Sequence, residues 1–90
     1  MLLKLADLEA IRDGRITLVF RRWNRPSVKP GGTLKTKLGV LRIGRIDDLL
    51  PADVTEADVR KAGFADKAAF DGWLLTMKPG DKFQRIEVSF

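Results

Sequence analysis

The sequence predicts an α+β fold in which short strands curl into a small barrel flanked by short helices. Three observations lead there. Ninety residues supply one core and too little chain for a second, so residues 1–90 read as a single domain. Several segments alternate polar and apolar residues with period two, and others carry apolar residues at helical spacing. Their order is helix, three strands, two helices, strand, a mixed order with short strands.

The spacing of Leu5, Leu8 and Ile11, with Leu2 one turn earlier, predicts a helix over residues 3–12. Asp13-Gly14 ends it, because glycine supplies the left-handed conformation favoured past a helix C-terminus. From Arg15 to Arg21 the chain alternates: Ile16, Leu18 and Phe20 fall on one face, Arg15, Thr17, Val19 and Arg21 on the other. Trp23 joins the second face if the strand persists. Arg22 falls on the apolar face, so it needs an acidic partner such as Glu87, or a bend in the strand. Pro26, Pro30, Gly31 and Gly32 make residues 24–32 a loop. Thr33 to Lys37 and Val40 to Asp48 read as a tight hairpin turning at Leu38-Gly39, with Leu41, Ile43 and Ile46 inside. Pro51 breaks the pattern. Thr55-Glu-Ala-Asp58 resembles a capping box and starts a short helix that Gly63 ends. Asp66 caps a second helix to about Met77, with Phe70, Trp73 and Leu74 at core spacing. After the Lys78–Asp81 turn, Gln84, Ile86, Val88 and Phe90 alternate with Phe83, Arg85, Glu87 and Ser89. The sequence stops at Phe90 inside this alternation with no polar tail. That reads as a natural chain extending further, although a protein can end on a strand.

Composition excludes much chemistry. There is no cysteine, histidine or tyrosine. Disulfides, thiolate metal sites, a cysteine nucleophile and the commonest general base and metal ligand are all absent. We expect no cofactor and no metal. Cysteine-free composition suits a reducing cytoplasm, the expected location. No apolar run approaches the roughly 18 residues that a bilayer span needs, and the N-terminus is too short and too charged for a signal peptide.

Charge is the most informative feature. Residues 15–45 hold nine basic side chains and no acidic one. Residues 1–45 carry eleven basic and three acidic groups, a net of +8, and residues 46–90 carry six basic and nine acidic groups, a net of −3. Such segregation builds a one-sided field that attracts a polyanion. Trp23 and four glycines lie inside the run, so a stacking surface and close backbone approach accompany the cations. The candidate contacts are Arg15, Arg21, Trp23, Arg25, Lys29, Lys35 and Lys37. Arg15, Arg21 and Trp23 share a strand face, and Lys35 and Lys37 share another with Thr33. Lys29-Pro30-Gly31-Gly32 can cradle a phosphate with backbone N–H groups but lacks P-loop spacing, and an ordinary turn explains it as well.

The run of helix, Gly14-Arg15, strand ending at Arg21, Lys29-Pro30-Gly31-Gly32 and hairpin resembles the ASCH domains of the PUA-like superfamily. Val54-Thr-Glu-Ala-Asp-Val-Arg-Lys-Ala-Gly-Phe64 is similar to that family's helix after its central strands, and Phe83 to Phe90 to its closing strand. The resemblance spans about Ala10 to Phe90. It implies a PUA-like mixed β-barrel and a cleft suited to RNA or a nucleotide. In the family signature GxKxxExR, Gly14 and Arg21 match, while Ile16 stands at the Lys and Val19 at the Glu. Family members that deacylate N-acetylated cytidine use a Lys and a Thr on this strand, and those positions also fall at Ile16 and Val19. Neither side chain transfers a proton or acts as a nucleophile. The resemblance therefore implies binding more than catalysis, with no catalytic residue assigned.

Other readings compete. Asp47-Asp48 sit on successive strand positions and point to opposite faces, so they do not form a joint carboxylate site. Residues 57–75 superficially resemble a helix-turn-helix of arabinose-type regulators, but the second helix offers Asp66, Lys67 and Asp71 rather than base-reading cations. The leading expectation is a monomeric, non-membrane module that binds RNA or a nucleotide. The alternatives are a nucleoside- or RNA-processing hydrolase and a protein-interaction domain with an acidic partner.

Overall fold

The computed structural model describes residues 1–90. Its elements are helix α1 (Leu5–Arg12), strands β1 (Leu18–Trp23), β2 (Thr33–Thr36) and β3 (Gly39–Asp48), a 3-10 turn (Pro51–Asp53), helices α2 (Glu56–Lys61) and α3 (Lys67–Leu75), and strand β4 (Lys82–Ser89). The order anticipated from the sequence holds, with the 3-10 turn added. The four strands form one antiparallel sheet in the order β1-β4-β3-β2, curled into a half-barrel. The last strand in sequence is therefore central, and β1 and β2 are the two edges.

The sheet is covered on both faces. Toward α1, Val19, Leu41, Ile43, Ile86 and Val88 pack with Ala10 and Ile11 of the helix and Val28 of the long loop. Toward α2 and α3, Phe20 and Phe83 pack with Val54, Val59 and Phe70. The Phe20 and Phe83 rings stack at 5.7 Å, and the Phe70 ring meets Phe20 edge-on at 5.1 Å, the offset and T-shaped geometries aromatic rings prefer.

This double cover corrects the reading of β1. The sequence suggested one buried and one open face from Arg15 to Arg21. Instead Leu18, Val19 and Phe20 are buried in succession, because each face of the strand meets its own core. The strand also starts later. Arg15 and Ile16 both donate backbone N–H groups to Ala10 O, which holds them in the turn that closes α1. Arg15 is thus off the strand, and only Arg21 and Trp23 share a face. Arg22 takes no carboxylate. Its Nη2 donates to Leu74 O at 2.8 Å, near the carbonyl-rich C-terminus of α3, where a cation is favoured. The expected partner Glu87 instead accepts the Arg45 backbone N–H at 3.0 Å.

The remaining elements follow the sequence with adjustments. Leu8, Ala10 and Ile11 carry the burial of α1, while Leu5 faces solvent and Leu2 lies outside the helix. The hairpin turns at Lys37-Leu38, and Gly39 opens β3 with φ of 122°. Lys37 therefore sits in the turn rather than beside Lys35 on the strand. Ile43 pairs with Val88 and Ile46 with Ile86. That three-against-two spacing is a β-bulge at Gly44-Arg45, and it lets Ile43 and Ile46 both reach the α1 side. A side chain at Gly44 would meet Glu87 Cβ at 3.1 Å. Thr55 Oγ1 caps α2 and Asp66 Oδ1 caps α3, at 3.1 and 2.8 Å. The second half of the α2 capping box is missing, because Asp58 binds Arg85 at 2.7 Å instead. Arg85 also reaches Asp47 at 2.8 Å, so one guanidinium ties β4 to β3 and to α2. Its carboxylate bonds raise its own pKa, and Arg85 is the main cause of Asp47's lowered one. Asp48 points the other way and serves Gln84. No helix is long and apolar enough to cross a membrane.

Candidate nucleic-acid interface

The basic candidates divide between the two edges of the sheet. Three strand spacings of about 4.8 Å separate β1 from β2, roughly 14 Å along the sheet.

On the β1 edge, Arg21 donates through Nη1 to Phe20 O at 2.7 Å and through Nη2 to Leu2 O at 3.0 Å. Both acceptors are neutral carbonyls, and no carboxylate bridges it. Burial lowers its pKa, opposed by the charge of Asp7. Guanidinium nevertheless stays protonated in proteins. Arg21 borders a cleft of about 440 Å³ between the N-terminal segment, β1 and the α2–α3 connection. Ile16 and Val19 line the same cleft, and both belong to the core on the α1 side. Both offer the cleft only aliphatic surface.

Trp23 is held by a polar chain. Its indole Nε1 donates to Gln84 Oε1 at 2.7 Å, and Gln84 Nε2 donates to Asp48 Oδ1 at 2.7 Å. Gln84 is the one buried polar side chain of the fold, 7% exposed, and both ends of its amide are paired as burial requires. The β1–β4 register sets Lys82 directly across from Trp23, so this cation shares the indole's face. Gly80 lies against the Trp23 backbone so closely that an added Cβ would sit 2.8 Å from its Cα. Arg25 follows in the loop, exposed. Arg15 is exposed and spends its charge on Asp13 at 3.3 Å.

On the β2 edge the charge is denser. Residues 29–45 contain Lys29, Lys35, Lys37, Arg42 and Arg45 with no acidic residue. Only Arg45 has a carboxylate partner, Asp47 at 2.8 Å. In the hairpin register Thr33 faces Arg42 and Lys35 faces Val40. Lys35 and Arg42 are thus diagonal neighbours on one exposed face, about 7–8 Å apart. Lys37 projects from the turn and Lys29 from the loop that feeds β2. The glycine cradle is spent internally: Gly31 N–H donates to Gly44 O at 3.3 Å and Gly32 N–H to Lys29 O at 2.9 Å. Residues 29–32 are therefore a turn docked on β3.

No family model, curated protein or solved structure matches this chain.

The geometry thus keeps Arg21 with Trp23 and keeps Lys29, Lys35 and Lys37 together, but it does not join the two sets. It adds three residues. Arg42 was visible in the charge run, and only the hairpin register places it beside Lys35. Lys82 carries no sequence signal, since it lies in the acidic half. Gln84 reads as an ordinary strand residue until its two partners are known. No three His, Cys, Asp or Glu side chains gather into a set that could hold a metal ion.

Proposed function

We propose that this chain is an RNA- or nucleotide-binding module of the ASCH, PUA-like kind, whose affinity comes from the β2–β3 ribbon. The observation that carries this reading is the set of four cations, Lys29 in the loop before β2 and Lys35, Lys37 and Arg42 on the ribbon, that occupy the acid-free stretch 29–42 without a single carboxylate partner. Unpaired cations on one surface release counterions when a phosphate chain replaces them. Trp23, fixed by Gln84 and half-buried against the α1-side core, lies on the opposite sheet face from Lys35 and Arg42, so the ribbon binds through its cations and not through stacking on this indole. Binding is favoured over hydrolysis because Ile16 and Val19 are aliphatic and the chain has no histidine, cysteine or tyrosine.

The test is a titration of labelled single-stranded RNA at several salt concentrations. If three to five phosphates are neutralised, log affinity falls against log salt with a slope of about −2 to −3.5. Replacing Lys35 and Lys37 together by glutamine reduces the magnitude of that slope by about 1.4. No binding at low salt, or a flat response, would redirect the ribbon toward an acidic protein partner.

A further inference from the structure

A second cleft of about 440 Å³ lies between the N-terminal segment, α1 and β2, within the volume range of small-molecule sites. Its lining is unusual in chemistry rather than in size. Met1, Leu2, Leu3, Leu5, Leu8 and Leu34 supply only aliphatic surface, with no aromatic ring. The polar lining is Lys35, Thr36 and Lys37, and no acidic residue borders it. The Thr36 hydroxyl is committed to the hairpin turn, donating to Gly39 O at 2.7 Å and accepting the Leu38 N–H at 3.2 Å. Lys35 and Lys37 have no carboxylate partner. The register also frees backbone groups there. Gly32 O accepts the Ile43 N–H, which makes Leu34–Leu41 the next hydrogen-bonded pair and turns the Lys35 N–H and C=O away from β3. That edge is unpaired, because β2 is an outer strand. Leu2 and Leu5 at the rim are 93% and 47% exposed, apolar surface left without a protein partner.

An aromatic or nucleobase ligand finds nothing to stack on in this cleft, and a cation finds no acceptor side chain. We propose that it binds an unbranched alkyl anion, with the chain among the leucines and the acidic head at the rim by the hairpin turn, on Lys37 and the outward Lys35 N–H, while the Lys35 ammonium reaches it around the open strand edge. This site does not depend on RNA binding by the ribbon, because its selectivity comes from the aliphatic floor rather than from phosphate spacing.

A chain-length series on the full protein tests it. Octanoate, decanoate and dodecanoate are titrated below their micelle concentrations by calorimetry, beside uncharged decanol. Each methylene that enters the cleft tightens binding about fourfold, from roughly 0.8 kcal/mol per buried CH₂, so two methylenes give about fifteenfold until the cleft is full. Lys35→Gln with Lys37→Gln weakens decanoate about tenfold or more, the loss of charge-assisted hydrogen bonds, and leaves decanol unchanged. Leu5→Gln, at an exposed position that the fold tolerates, weakens decanoate about fourfold or more. Affinity independent of chain length, decanol binding as tightly as decanoate, or no effect of the lysine pair would each overturn the proposal. So would adsorption to phosphatidylglycerol vesicles without binding of free decanoate, which would make the exposed leucines a membrane-surface contact and not a cleft for one molecule.

Discussion

One substitution, glycine to alanine, should have opposite effects at two positions of this fold. Gly72 lies inside α3, and an added Cβ there meets nothing within 4 Å. Alanine at that site gains helix propensity worth about 0.8–1 kcal/mol. For a domain of this size each kcal/mol moves the melting temperature by about 4–8 °C, so Gly72→Ala should melt roughly 3–8 °C higher. Gly80 sits in the turn before β4. A Cβ there would come within 2.8 Å of Trp23 Cα and N and 2.9 Å of Trp23 C. Those atoms are strand backbone and cannot rotate aside, so the turn and the end of β1 must separate. Overpacking of this kind costs about 1–3 kcal/mol, a fall of roughly 4–24 °C. The displacement also disturbs the Trp23–Gln84 bond. The two variants are compared by thermal denaturation, with the two indole N–H resonances followed by NMR. The Trp23 resonance should move in Gly80→Ala, and the Trp73 resonance should not. If Gly80→Ala melts at the parent temperature with an unmoved Trp23 signal, the close approach of turn and strand is wrong. If Gly72→Ala melts lower, the open helical position described at Gly72 is wrong.

Other outcomes follow from the same contacts. Arg21→Ala removes two charge-assisted bonds to neutral carbonyls and strands no carboxylate, so thermal melts should show a loss of about 1.5–3 kcal/mol, short of the 3–5 kcal/mol for breaking a buried ion pair. Lys67→Ala should leave RNA affinity unchanged by filter binding, because Lys67 lies on α3 beside Asp71 at 3.4 Å. The Asp47 carboxyl is held below its ordinary range chiefly by Arg85, with help from Arg45. It contributes stability above its unfolded pKa of about 3.9, and that stability is lost as pH falls through the lower folded value. Melting temperature should therefore drop more steeply below about pH 4 in the parent than in Arg85→Met. Incubation with N-acetylated cytidine, followed by chromatography, should release no cytidine above a heat-treated control, since Ile16 and Val19 carry no acid, base or nucleophile.

The periodic segments were legible because their pattern is local. Period two marks β4 and the hairpin, and caps at Thr55 and Asp66 mark the two later helices. What escaped was set by partners distant in sequence. Leu18, Val19 and Phe20 alternate correctly, yet nothing local says that a second core, built from Val59 and Phe70, waits for Phe20 on the other face. Arg22 looked like half of an ion pair because a lone sequence shows carboxylates and hides helix ends. The charged run was visible as composition, but its division between two sheet edges depends on β4 inserting between β1 and β3. Arg21 drew attention through the GxKxxExR match. Its bonds to Leu2 O and Phe20 O give it a fastening role that the motif alone does not contain.

The central place of β4 also governs when the molecule can fold. As the chain leaves the ribosome, β2 and β3 can zip together at once, since only two residues separate them. β1 must wait, because its sole neighbour is the last of the four strands to be made. Until β4 arrives, both long ladders are unformed and the aromatic cluster of Phe20 and Phe70 lacks Phe83. Most of the sheet therefore assembles only once β4 is available, and non-local pairing of this kind is intrinsically slow. A nascent chain halted before Lys82 would display the unpaired β1 edge and the outer side of β3 together, two open strands with hydrophobic faces. That intermediate is the species most exposed to aggregation, and the one a chaperone would need to shield.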